Sequence, residues 1–206
     1  MGMQGVVSEW LSSRNVRFSD LEWRRLEAEF NLTFPEDVIY MANRVDSFRV
    51  EVRVEAYDTP GFQRGRVERL VVMLPNPSME ISGILDAVAH ANEAVSPLFE
   101  DGGTTIVHSD DSGDQAVRIP FSFYPESPGL IPWGEDSSGC PQFWVASGES
   151  REWPVMVTDE MRFKKHDMSL TGLLEALMSG RLECPISADM WTDPILLEDE
   201  RRLEDF

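Results

Sequence analysis

Three histidines, two cysteines and a scatter of acid and serine side chains are the groups in this chain with chemistry to offer. His90 stands in "HANE" on the polar side of an expected helix, and no second histidine lies at metal-ligand spacing from it, so neither a zincin nor a finger pattern is present. His108 opens "HSDDSGD", whose acids lack the alternation, glycine and distal glutamate of a calcium loop; a solvated turn is expected. His166 adjoins Asp167 at an expected helix start, where a local hydrogen bond is the simplest role. Cys140 and Cys184, each followed by proline, cannot make a Cys-only zinc site and are expected to be reduced and structurally incidental. Ser137, Ser138 and Ser147 lie near glycines without forming G-x-S-x-G, and no Walker A or G-x-G-x-x-G run occurs. Glu135 and Asp136 are adjacent acids with no sign of a cleft that would drive their pKa values apart. The expectation is a protein that is not an enzyme, with no cofactor and no metal.

Charge is more informative. Against 37 Asp and Glu stand 18 Lys and Arg, a net charge of −19. A field of that sign repels phosphate backbones and anionic membranes and speeds encounters with basic proteins. Direct nucleic-acid and membrane binding are therefore not expected. An apolar share of 42 % and a charged share of 27 % are those of an ordinary globular chain. No run approaches the ~18 apolar residues of a membrane span. The first residues carry Glu9 where a signal peptide would be apolar, so a cytoplasmic protein is expected.

Several elements are legible in the 206 residues. "SDLE" from Ser19 is a capping box, and Trp23, Leu26 and Phe30 follow on one helical face that should end near Asn31. Pro35 suits the first turn of a second helix, "PEDVIYMAN", with Glu36 and Asp37 at its positive end. Phe48, Val50, Val52, Val54 and Ala56 alternate with charged residues, a strand with one wet face; "DTPGFQRG" supplies a turn and "RVERLVVMLP" the returning strand. Ile81, Ile84, Leu85, Val88 and Ala91 give a helix face, and two short strands are expected near Thr104 to His108 and Ala116 to Phe123. "EWPVMV" is a further strand, and "MSLTGLLEALMSGRL" a helix capped by Ser169 and stopped by Gly180. The acidic tail from Asp189 is expected to be a short helix or a frayed end. With no repeat or linker, a single domain over 1–206 is expected, its core at about 19–186 between an N-terminal extension (1–18) and an acidic C-terminal one (187–206).

Trp133, Phe143, Trp144 and Trp153 crowd the run around "GLIPWGEDSSGCPQFWV". Phe143 and Trp144, adjacent on a strand, must face opposite sides, one toward the core and the other toward a groove or a helix. Pro132 and Gly134 are expected to bend the chain into a turn, with Gly139 permitting the return.

That run, followed by "EWPVMV" and an apolar helix ending in glycine, resembles the carboxy-terminal half of the SUKH superfamily (Smi/Knr type), in particular its actinobacterial members. "FPEDVIYMAN" is similar to the family's L-P-x-D-Y entry to its second helix, with Pro35 and Asp37 matching, and "VVMLPNP" to its L-L-x-P strand end. Pro35, Pro132, Trp133, Gly134, Gly139, Trp153 and Gly180 are the motif positions. The chain departs at Cys140, where the family has an acid, and at a long hairpin from about Phe48 to Leu74. The resemblance implies an α+β fold, a mostly antiparallel (mixed) sheet flanked by helices, with that hairpin as an elaboration. It also implies an immunity protein that binds and neutralises a toxin domain, a basic nuclease or deaminase, as its partner; a regulatory or scaffolding module is the alternative. The expected partner-binding residues are Asp110, Asp111, Asp114, Glu135 and Asp136, with Trp144 as an aromatic anchor.

Overall fold

The computed structural model describes residues 5–54, 66–95, 104–110, 113–119, 122–146, 152–158, 163–182 and 194–203, side chains excepted at 53, 54, 66, 104–110 and 113–119. Helix α1 (Val6–Ser12) comes first. Helix α2 (Asp20–Phe30) begins as the capping-box spacing requires: the Glu22 carboxylate accepts from the Ser19 N–H at 2.8 Å and from its hydroxyl at 2.7 Å. It buries Trp23, Leu26 and Phe30 and ends where Asn31 turns left-handed at φ 50°. Pro35 is the N-cap of α3 (Glu36–Ala42), which buries Val38, Met41 and Ala42.

The alternating segment forms β1 (Ser47–Val54), paired antiparallel with β2 (Arg66–Met73), Val50 opposite Leu70. The turn expected at "DTPGFQRG" lies outside the described residues but for its last positions' neighbours in β2. Helix α4 (Ile81–Val95) follows. Its buried stripe is Ile84, Ala87, Val88, Ala91 and Val95, while Leu85, one step of about 100° off that line, is 38 % exposed. Then come β3 (Thr104–Asp110), β4 (Gly113–Ile119), β5 (Gly129–Asp136), β6 (Pro141–Ala146), β7 (Val155–Thr158), β8 (Phe163–His166), α5 (Leu170–Met178) and β9 (Ile195–Glu198).

The described strands form one sheet of order β4-β3-β8-β7-β6-β5-β2-β1-β9, antiparallel except between β3 and β8. This is an α+β fold with helices packed on a mostly antiparallel sheet. Cross-strand partners share a face, so Ile131, Trp144, Val155 and His166 lie on one side, and Leu130, Phe143 and Met156 on the other. The first face carries a chain of rings, Trp144 on Trp153, Trp153 on Phe34, and Phe34 on both Phe30 and Trp23. Helix α5 closes this side against α1 and α3. The second face is covered by α4, whose Ala91 and Val95 meet Phe143, Met156 and Phe163. Phe143 and Trp144 are thus both core residues, on opposite sides of β6.

Two expectations are corrected. The segments assigned as extensions contribute residues to the core: Val7, Leu11 and Leu203 are fully buried. The acidic tail is neither helical nor frayed at Ile195–Glu198, which pairs as β9 with β1, Leu196 opposite Val50. Two of its acids are paired: Arg14 binds Glu198, and Arg49 and Arg201 both reach Asp199 at 3.2 Å. Among the described residues no helix is long and apolar enough to cross a membrane.

Candidate functional site

Three of the six residues expected to meet a partner, Glu135, Asp136 and Trp144, are engaged within the fold. Pro132 and Gly134 do not form a turn; both lie inside β5, where the register shifts between them and leaves Trp133 as the extra, fully buried residue of a bulge. Gly134 is required by close approach, since a Cβ there would overlap the Val71 carbonyl oxygen on β2. The turn falls after β5, with Gly139 at φ 81°. Asp136 builds that turn: it is 7 % exposed and its Oδ1 accepts from the Ser138 N–H at 2.8 Å and the Cys140 N–H at 2.9 Å. Glu135 is held by Arg201. Trp144 is 1 % exposed, edge-on to Trp153 with ring centroids 6.1 Å apart, so it is a core residue and not an anchor at the surface.

Asp110 and Asp114 stand at the joined ends of β3 and β4, where Asp110 is opposite Gly113 and Ser109 opposite Asp114; Asp111 lies outside the described residues. Gly180, at φ 63°, follows α5 as expected. Cys184 and Ser147 lie outside the described residues, and Cys140 donates its N–H to the Asp136 carboxylate.

A different place offers an open site. A cleft of about 490 Å³ opens between the start of α3, the start of α5 and the segment leading into β7. Three carboxylates line it, those of Asp37, Glu152 and Asp167, together with the apolar surfaces of Pro35, Trp153 and Pro154. The helix starts fix its walls. Pro35 sets the entry to α3, and Asp37 in the first turn uses Oδ2 to accept from the Thr171 N–H at 3.1 Å, bridging α3 to the N-terminus of α5. Ser169 caps that same end, its Oγ accepting from the Gly172 N–H at 3.2 Å. Asp167, with a side chain 76 % exposed, pairs with Lys165 at 2.7 Å.

His166 is the last residue of β8, not a helix-start residue, and is 6 % exposed. Burial, helped by the charge of Lys164 and opposed by that of Asp167, pushes its pKa down to about 4. Its Nε2 has no hydrogen-bond partner. Since Asp167 is exposed and bound to a lysine, the two neighbours do not form a buried imidazole–carboxylate dyad. The indole N–H groups of Trp133, Trp144 and Trp153 also lack acceptors, whereas that of Trp23 donates to Asn43 Oδ1 at 3.0 Å. An unpaired buried donor costs about 1–3 kcal/mol. Among the described residues, no group of three or more His, Cys, Asp or Glu side chains is placed to hold a metal ion.

Sequence reasoning placed Asp37, Trp153 and Pro154 in helix and strand and missed that they share a cleft with Glu152 and Asp167. It also missed Gln142, fully buried, whose Nε2 donates to the Cys140 and Thr158 carbonyls at 3.0 and 3.3 Å and whose Oε1 accepts from the Thr158 N–H at 2.9 Å. Only the polar residue in "PQFWV" hinted at it.

No family model, curated protein or solved structure matches this chain. Within the molecule, the segments "FPEDV" and "EWPVMV" meet at the cleft through Pro35, Asp37, Trp153 and Pro154. Chemically, such a surface can hold a cation against carboxylates while its apolar walls take an aliphatic stem or a proline.

Proposed function

We propose that this protein is a cytoplasmic, non-enzymatic immunity protein of SUKH type, which binds a basic toxin domain, a nuclease or a deaminase, and blocks it. In this reading the fold is a SUKH variant and the β1–β2 hairpin is its own elaboration. The observation that carries the proposal is the meeting of the two motif segments at an acid-lined cleft in a chain of net charge −19. A domain that works on nucleic acid holds phosphates with basic residues, and a polyanionic protein competes for those residues. The aromatic motif residues contribute by rigidity: Trp133 and Trp153 are buried and fix the sheet and the loop that carry the acids.

The test is genetic and then biochemical. Co-expression with a basic toxin domain captured by this protein from its native host should restore growth to cells that the toxin alone kills, and the purified pair should form a one-to-one complex. Growth arrest despite abundant soluble protein would count against immunity and favour a regulatory module without a toxin partner.

A further inference from the structure

We infer that Trp144, Trp153 and His166 together hold one buried water molecule on the α5 side of the sheet. The site is separate from partner binding and does not depend on it. Trp144 on β6 and His166 on β8 are the two cross-strand partners of Val155 on β7, so the three side chains share one face. Trp153, two residues before Val155, lies edge-on to Trp144 with ring centroids 6.1 Å apart. Two indoles and an imidazole are thus gathered around one valine. Each is more than nine-tenths buried, Trp144 at 1 %, Trp153 at 2 % and His166 at 6 % exposure. Each also keeps a polar atom that no protein group satisfies: the two indole N–H groups and the imidazole Nε2.

Buried polar groups in folded proteins are nearly always paired, with protein or with ordered water. The ring contact does not supply the partners. With planes 65° apart, at most one of the two indoles can turn its N–H onto the other's face, and Nε2 gains nothing from either arrangement. Burial holds the His166 pKa at about 4, so near neutral pH the imidazole is uncharged and Nε2 can accept while Nδ1 carries the proton. A water molecule matches this set: it accepts from the two indoles and donates to Nε2, the roughly three hydrogen bonds usual for an internal water. A metal cation would meet one ligand atom and two N–H groups presenting hydrogen to it. An anion would find no positive charge among the three side chains.

The test uses the folded, ¹⁵N-labelled parent protein and water-selective NOESY and ROESY spectra. The indole Hε1 protons of Trp144 and Trp153 should show water cross-peaks whose ROE has the sign of a dipolar contact and not of hydrogen exchange. Trp23, equally buried but donating to Asn43 Oδ1 at 3.0 Å, should show none. Long-range ¹H–¹⁵N spectra near neutral pH should find His166 protonated on Nδ1 and bare on Nε2. His166→Leu should lose both water cross-peaks, whereas His166→Gln, whose side-chain carbonyl can accept in place of Nε2, should keep them. If His166→Leu does not fold, the parent spectra and His166→Gln decide. Missing cross-peaks at Trp144 and Trp153, equal ones at Trp23, an Nε2–H imidazole, or cross-peaks that survive in His166→Leu would each overturn the site. An Hε1 shifted upfield without water contact would do the same and make the neighbouring ring face its acceptor.

Discussion

Arg201, beyond the last strand, donates to the carboxylate of Glu135 at the tip of β5, and its Nε also reaches Asp199 at 3.2 Å. Asp199 in turn binds Arg49 on β1, so the tail is fastened across three strands. Burial on its own would raise the Asp199 pKa; hydrogen bonds from the Arg201 backbone and side chain and from Arg49 outweigh it and leave the pKa lowered. A double-mutant cycle on Glu135→Gln and Arg201→Met should give a coupling of about 0.5–1 kcal/mol, as for a part-exposed pair. Amide exchange in β9 should accelerate in Arg201→Met. A coupling near zero with unchanged exchange would mean that this pair does not anchor the tail.

Helix α1 has no side-chain cap of its own. Glu175 on α5 supplies one: its Oε1 accepts from the Val7 N–H at 2.9 Å and the Ser8 N–H at 3.2 Å. A Cβ at position 5 would displace that carboxylate. Glu175→Ala should cost about 1–2 kcal/mol in urea unfolding and expose the Val7 and Ser8 amides to exchange. Gly5→Ala should reproduce both effects in the presence of Glu175. If Gly5→Ala is neutral, the cap is not what docks α1.

His166 predicts a pH dependence. Its folded pKa of about 4 lies below the ordinary 6.5, so on acidification the unfolded chain takes up the proton first. The stability held by the neutral imidazole is complete above pH 6.5 and is lost as pH falls through that value toward 4, by about 3 kcal/mol in all. Unfolding free energies between pH 7 and 5 should therefore slope more steeply in the parent than in His166→Gln. Parallel slopes would place His166 in a solvated setting.

Gln142 stands in for backbone pairing between β6 and β7. Gln142→Leu keeps the volume and strands the Thr158 N–H, so a loss of about 2–4 kcal/mol is expected in denaturant unfolding. A loss under 0.5 kcal/mol would show that the Thr158 N–H finds another acceptor.

Local patterns were legible in the sequence because their causes are local. The Ser19–Glu22 box, the alternation from Phe48 and the Ser169 cap each involve residues a few positions apart, and each forms the expected element. The tail was not legible as a strand: its acid-rich composition favours solvent until Arg14, Arg49 and Arg201 are brought beside it by the fold. For the same reason Glu135 read as a free acid, its partner being 66 positions away. Trp144 read as a surface group because its pattern does not reveal that helices cover both faces of β6. The cleft joins residues from α3 and from the approach to β7, a juxtaposition that only the sheet order creates.

The most direct measurement is calorimetric titration of this protein with a basic toxin domain that it captures from its native host, at low and at physiological salt, with the toxin's activity on nucleic acid followed in parallel. One-to-one binding that weakens as salt rises, with activity abolished at equivalence, is the predicted result. A toxin that stays fully active beside excess protein, with no heat of binding at either salt, would contradict it.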